Sequence, residues 1–335
     1  MAKKALKGDY VTFEVRASYD KKTDSIHLTS KDKDISTANG FHLTLNRGKD
    51  AEYALRTLLE QKGIIPEEQY LPVKAYYGDS RLHHVWDRFP VGVHADGTEA
   101  VWNSSSSNNV LIAGPTGAGK SVIQRNILFH CIQNSDKWSV LGIDLKGGEL
   151  TPYKKHSPAV MNVVTTVADG VEILRYAHGE MQKRYELMRH LDVSHLREID
   201  HRPKSLMVMV DQLLMFLARL ESDTPEARAE NLLKAEARYL LNRIAMLGRP
   251  AGIHLVLSAQ RIDKKVMTNE LVENCTTRIA SGRLDSSASK ALLGNDEAYL
   301  LNGGIKGRGY MQEDGEGAGF QGYFAPEDFL DGPRC

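Results

Sequence analysis

Cysteine is nearly absent from this 335-residue chain: Cys131, Cys275 and Cys335 stand far apart, with no CxxC pair. That spacing excludes a disulfide framework and a thiolate zinc site, and it fits a reducing, cytoplasmic compartment. Long apolar runs are missing as well. None approaches the roughly 20 residues that cross a bilayer, and the start MAKKALKGDY lacks the apolar core of a signal peptide. With no membrane segment of its own, the chain would need a partner protein to bring it to a membrane. Net charge is also lacking, since 43 basic residues meet 43 acidic ones. No global field draws the protein to nucleic acid, so any such contact must come from local patches. What remains, 41% hydrophobic and 26% charged residues, is ordinary globular composition. The length suits one large domain and one small one.

The texture divides near residue 88. Residues 1–88 read as a small α+β module with no ligand-specific pattern. Tyr10–Ala17 and Ile26–Thr29 suit strands joined by the polar stretch 20–24, and Phe41–Asn46 suits a third. Asp50 can cap a helix over 51–62, which Gly63 and Pro66 stop. Over 89–335, short apolar strands alternate with amphipathic helices, the pattern of an α/β sheet. Val110–Ala113, Val140–Asp144, Leu206–Val210 and Ile253–Leu257 are the strands; 121–134, 169–191 and 227–247 are the helices. Tyr310, Met311 and Phe320–Phe324 read as a closing hairpin in a glycine-rich stretch.

Gly114, Pro115, Thr116, Gly117, Ala118, Gly119, Lys120 and Ser121 form a complete GxxxxGKS. Glycines allow backbone N–H groups to turn inward around phosphates at the positive end of the next helix. Lys120 is placed to reach the β- and γ-phosphates of ATP, and the Ser121 hydroxyl to hold Mg²⁺. A bare match can be a glycine turn in a core. Here the pattern sits between a buried strand and an amphipathic helix, the context that the phosphate loop requires.

Leu206–Val210 ends in Asp211. A carboxylate closing an apolar strand is costly unless it faces a cleft with a partner, here the Mg²⁺ shell. The next residue is Gln212, where a glutamate could polarise the attacking water. An amide keeps the size and hydrogen bonding but cannot take the proton. The expectation is tight nucleotide binding with impaired hydrolysis: either a natural slow enzyme or a glutamate exchanged to trap ATP, the intact remainder of the site favouring exchange. Gln260, just past Ile253–Leu257, is a sensor candidate able to touch both γ-phosphate and water; the plainer reading is a satisfied strand-end amide.

Longer stretches resemble the FtsK/SpoIIIE family of ring-shaped DNA translocases, in its soluble single-motor branch. Pro90-Val-Gly-Val-His-Ala-Asp-Gly97 looks like the turn before the family's phosphate-loop strand, and Gly142-Ile-Asp-Leu-Lys-Gly-Gly-Glu-Leu150 like its second strand and D-x-K turn. Glu180-Met-Gln-Lys-Arg-Tyr-Glu-Leu-Met188 is similar to its E-M-x-x-R-Y-x-x-M helix. Arg249-Pro-Ala-Gly-Ile-His-Leu-Val-Leu-Ser-Ala-Gln-Arg261 resembles R-A-A-G-I-H-L-V-L-A-T-Q-R. Thr277–Ala280 and Asp285–Ser289 fall where the family has T-R-I-A and D-S-R-T. Neither a membrane region nor a winged-helix module accompanies them, so a septum-anchored chromosome pump is not the expectation.

The resemblance implies a RecA-like P-loop fold, ATP with Mg²⁺, a hexameric homo-oligomer and double-stranded DNA drawn through its pore. It also implies an arginine lent by the neighbouring subunit. Arg249 is the first candidate and Arg278 the second; either could equally serve a surface or internal ion pair. Lys264, Lys265, Arg283 and Arg308 are the candidates for phosphate contacts along DNA, against the simpler reading of solvated loop charges. Two other functions stay open: a protein-export ATPase of the type VII secretion kind, and a nucleotide-gated assembly module without turnover.

Overall fold

The computed structural model describes the backbone of residues 15–20, 25–30 and 41–46, and residues 74–301 and 305–326 with their side chains. The helix expected over 51–62 lies outside the described residues. Two compact units divide the chain, Met1–Tyr70 and Leu71–Cys335. In the first, β1 (Val15–Asp20), β2 (Ser25–Ser30) and β3 (Phe41–Asn46) form an antiparallel sheet with β2 at its centre. The division falls earlier than the change of texture at 88. Residues after Tyr70 already build the larger unit: β4 (Ala75–Tyr76) pairs with its last strand, and Tyr77 is fully buried against Phe129.

The larger unit is an 11-stranded mixed sheet with helices on both faces. It opens with the hairpin β5 (Arg88–Val93) and β6 (Glu99–Asn103), followed by β7 (Asn109–Ala113), α1 (Lys120–Gln133), β8 (Trp138–Asp144) and β9 (Val160–Val164). Next come α2 (Val167–His190), β10 (Ser205–Asp211), α3 (Leu213–Leu217), α4 (Pro225–Leu247) and β11 (Ile253–Ala259). The chain continues through α5 (Asn269–Glu273), β12 (Thr277–Ser281), α6 (Ser286–Leu293), α7 (Glu297–Leu300), β13 (Arg308–Glu313) and β14 (Glu316–Phe324).

Strands β12-β7-β11-β10-β8-β9 lie side by side and parallel, and β13, β14, β5 and β6 extend the sheet antiparallel. The parallel strands are apolar throughout because both their faces are covered. Leu206, Val208 and Val210 pack on one face with Leu174, Ala177 and Met181 of α2 and Leu241 and Ile244 of α4. Met207 and Met209 turn to the other face with Ile123, Ile127 and Phe129 of α1. The period of two in the strand and three to four in the helices thus decides which helix covers which face. It also gathers the C-terminal ends of β7, β8, β10 and β11 along one edge, where parallel α/β sheets place their ligands.

Candidate active site

The phosphate loop follows β7 directly and runs into α1. Helices α2, α4, α5 and α6 each begin with a side chain accepting a backbone N–H: Thr166 from Asp169, Thr224 from Ala227, Thr268 from Leu271, Asp285 from Ala288. The first residue of α1 is preceded by Gly119, which offers no such cap. Its first-turn N–H groups are left for an anion, as at other phosphate-binding helix ends. Gly119 adopts φ 110°, which disfavours any residue with a Cβ. Gly114 sits so close to β12 that a Cβ there would collide with the Ser281 carbonyl oxygen. The loop is braced from that side, where the Ser281 hydroxyl donates to the Ala118 carbonyl oxygen at 3.0 Å.

The Lys120 ammonium donates to the Gly114 and Pro115 carbonyl oxygens at 2.8 and 2.9 Å, folded over its own loop. Burial pulls it below the ordinary lysine range, with the charges of Asp211 and Glu149 working the other way. Across the site, Asp211 ends β10 and is 3% exposed. Burial pushes its carboxyl up to about 6, and the neighbouring charges of Asp144 and Glu149 add to the rise. Its Oδ2 is buried without a hydrogen-bond partner. An orphaned carboxylate oxygen of this kind, facing a phosphate loop, is what a Mg²⁺ site with one protein carboxylate needs. Ser121 begins the adjacent helix and can supply a second hard oxygen. Among the described residues no group of three or more His, Cys, Asp or Glu side chains forms a metal site. Mg²⁺, which keeps most of its waters, does not require one.

Gln212 stands in the left-handed region at φ 55° and ψ 54°, where it breaks β10 and starts α3. For a residue with a Cβ this costs on the order of 1 kcal/mol, and such strain collects at functional positions. Gln260 follows the neighbouring strand β11 and is exposed. Strand β11 lies between β7 and β10, so the ends bearing the phosphate loop, Gln260 and Asp211 are neighbours. The phosphate loop, Asp211, Gln212 and Gln260 therefore share one edge.

One carboxylate, read in the sequence only as a strand end and the start of the D-x-K turn, has a defined role here. Asp144 ends β8 and is paired in register with Asp211. It accepts the N–H groups of Gly147, Glu149, Leu150 and Thr151, together with the Thr151 hydroxyl, and is fully buried. Burial works to raise its carboxyl, but the backbone donors of Leu150, Thr151 and Glu149 outweigh it and hold it below the usual range. Asp144 is thus the hub of a tight turn, and that turn delivers Glu149 to the edge.

The arginine candidates separate. Arg278 is used inside its own chain, donating to the Cys275 and Leu292 carbonyl oxygens at 3.1 and 3.3 Å. Arg249 lies in the turn before β11, at the opposite end of that strand from Gln260. It is exposed, donates to the Ser105 carbonyl oxygen at 3.3 Å, and lines a cleft with Arg197, Arg202, Trp86 and His254. Arg202 lies 4.7 Å from the centre of the Trp86 ring. The E-M-x-x-R-Y helix holds this turn in place. Arg184 donates to the Ala251, Gly252 and Lys204 carbonyl oxygens, and Tyr185 to that of Leu247. The specific helix motif is thus a clamp on the Arg249 turn rather than chemistry of its own.

Of the DNA candidates, Lys264 and Lys265 are exposed in the loop after β11. Arg283 lies over the Tyr299 ring at 4.9 Å. Arg308 departs from expectation. It is 6% exposed on β13, enclosed between β12 and β14, and so is not on a DNA-facing loop.

These features define a RecA-like P-loop ATPase fold. Residues 72–264 match the FtsK/SpoIIIE family, and the chain belongs to it. The DNA translocase FtsK of Borreliella burgdorferi is 30% identical over 248 residues, 73% of this chain and 30% of that protein. The DNA translocase SftA of Bacillus subtilis is 32% identical over 240 residues, 64% of this chain and 24% of its own length. The chain therefore spans less than a third of either relative. Among solved structures, the pCW3 conjugation coupling protein TcpA, in a monomer form with ATPγS, superposes with a TM-score of 0.74. It is 22% identical, and the match covers 95% of this chain and 90% of that one. The cytoplasmic domain of the Thermomonospora curvata type VII secretion ATPase EccC gives 0.60 at 21% identity, over 82% of this chain and 33% of its own. At these identities both show the fold alone. No helix among the described residues is long and apolar enough to cross a membrane.

Proposed function

We propose that this chain is the ATP-driven motor of a double-stranded DNA translocase that works as a ring. The observation that carries the reading is the pairing of an uncapped phosphate loop with the orphaned Asp211 oxygen, in a chain of the FtsK/SpoIIIE family. The loop and Lys120 bind the phosphates of ATP. Ser121 and Asp211 would hold Mg²⁺, which would supply positive charge to offset that of the nucleotide's phosphates. Gln260 orients the γ-phosphate and water. Gln212, an amide where a carboxylate would serve as base, slows hydrolysis and prolongs the ATP state.

A distance within the subunit supports the ring. Strand β11 has seven residues, so its two ends stand roughly 20 Å apart. Arg249 at one end cannot reach the phosphate loop at the other in the same subunit. A neighbour stacked head to tail can present its Arg249 there, and such a contact repeated with a closing rotation gives a ring. DNA contacts go to phosphates through Lys264 and Lys265, since a translocase must not stall on sequence.

Gln212 also favours a second reading, a nucleotide-gated assembly module that binds without turnover. The test is the ATPase rate of the full chain with and without duplex DNA. Stimulation by DNA of any sequence supports the translocase. Turnover indifferent to DNA would turn the reading toward protein export, and binding without turnover toward the gated module.

A further inference from the structure

We propose that Glu149 is the carboxylate that holds and deprotonates the attacking water, taking the role that residue 212 cannot fill. The inference rests on the ATPase reading above and adds a residue to it. Hydrolysis needs an acceptor for one proton of water, and an amide at 212 is none. Three carboxylates stand at this edge of the sheet. Asp211 is committed to the cation. Asp144 is saturated by four backbone N–H groups and one hydroxyl of the turn it organises. Glu149 alone keeps its carboxylate without a hydrogen-bond or ion-pair partner among the described residues, and it is only half-buried.

Its position is fixed by backbone rather than by chance. Asp211 and Asp144 are paired residues on adjacent parallel strands. The Glu149 N–H donates to Asp144 Oδ2 at 2.9 Å, so the residue is tied to the end of β8, the strand next to β10. Its charge acts on both the Lys120 ammonium and the Asp211 carboxyl, which flank the phosphate loop. A side chain whose backbone is held while its carboxylate is unengaged suits a positioned base. In the step itself, one O–H bond of water breaks and its proton passes to Glu149. The oxygen bonds to the γ-phosphorus as the bond to the ADP oxygen breaks, giving ADP and inorganic phosphate. Glu149 then returns the proton to solvent.

Glu149→Gln tests this, because it keeps the side-chain volume and the N–H that ties the turn to Asp144. Turnover with duplex DNA should fall by ~10²–10⁴, the range for loss of a positioned base. The rise in melting temperature with Mg-ATP should be retained, and the nucleotide recovered from the variant should stay triphosphate where the parent chain yields ADP. In the Gln212→Glu background, where a second base is present, Glu149→Gln should cost less than about threefold, whereas a merely structural role at 149 would cost the same factor in both backgrounds. Turnover in Glu149→Gln within threefold of the parent overturns the proposal. So does a parent chain that binds ATP yet never hydrolyses it. A parent chain whose melting temperature ignores ATP fails differently, removing the nucleotide reading itself.

Discussion

At the C-terminal ends of β8 and β10, Asp211 and Glu149 act on the lysine of the phosphate loop, and Asp144 is paired in register with Asp211. At the N-terminal ends of β10 and β11, Arg197, Arg202 and Arg249 share a cleft whose lining residues include no carboxylate. At that end, burial drives His254 down to about 3, with the charges of Arg184, Arg202 and Arg197 adding to the fall, so it stays neutral. The same strands thus run from a basic end to an acidic one. The arginines make the cleft end basic, tempered by the charge of Asp87 on Arg202. One subunit cannot join its own two ends across a seven-residue strand, whereas two subunits in head-to-tail contact can.

That comparison breaks most visibly at Arg249. In a Gln212→Glu background, Arg249→Ala should bind ATP nearly as before, because the phosphate loop and Asp211 are untouched. Its turnover should drop by ~10³–10⁵, the range for a transferred arginine in phosphoryl transfer. Mixing it with a Lys120→Ala, Gln212→Glu subunit should recover part of the activity, since each chain supplies what the other lacks. If mixed rings demonstrably form and nothing is recovered, the two ends do not meet through Arg249, and Arg202 in the same cleft becomes the residue to test.

A smaller effect sharpens the acidic end. Gln212→Glu should raise turnover, and by roughly 10²–10⁴ in the Glu149→Gln background, where it supplies the only base. The strained φ of 55° is shared by either residue, so the melting temperature should change little. Equal turnover in the two proteins, measured by phosphate release, would mean that position 212 does not touch the water.

How much of this was legible beforehand differs between the two ends for a physical reason. The phosphate grip is local: eight consecutive residues carry it, so Gly114 to Ser121 could be read directly. Asp211 was legible because a carboxylate closing an apolar strand needs an explanation. Glu149 was not, because its place depends on the Asp144 turn and on the register of β8 with β10. The arginine cleft is assembled from segments near 86, 104, 197, 202 and 249, which no local pattern connects. Arg308 misled because its neighbours are glycines, which suggested a loop where β13 buries it. Likewise Pro90–Gly97, read as a turn, is largely a hairpin strand and its connection.

The exposed loop after β11 gives a weaker effect again. Lys264→Glu with Lys265→Glu should weaken binding to any duplex about equally. The slope of log K against log salt should lose roughly 0.9 for each phosphate contact removed, so about 2 in all. Unchanged slope in a fluorescence-anisotropy salt series would take this loop off the DNA path. A strong preference for one sequence at fixed salt would count against phosphate-led binding altogether.

The smallest expected effect asks what the acidic end costs when no cation is bound. Asp211 ordinarily ionises near 3.8, and here burial and the charges beside it raise it to about 6. A carboxyl raised in the fold takes up protons on folding between those two values. Below 3.8 both states are protonated and Asp211 costs nothing through its charge. As pH rises through about 6 the folded group ionises and the full penalty is present. Two pKa units correspond to at most about 3 kcal/mol, and relaxation around the site leaves on the order of 1. Asp211→Asn, which removes the charge at constant shape, should therefore raise the melting temperature of the nucleotide-free protein by roughly 2–4 °C at pH 7.5. At pH 4.5 the gain should shrink to about a third of that, and it should vanish only below 3.8. The same variant should lose the Mg²⁺-dependent part of its response to ATP, trading function for stability. A melting-temperature difference that is identical at both pH values would mean that Asp211 is not the strained charge of this edge.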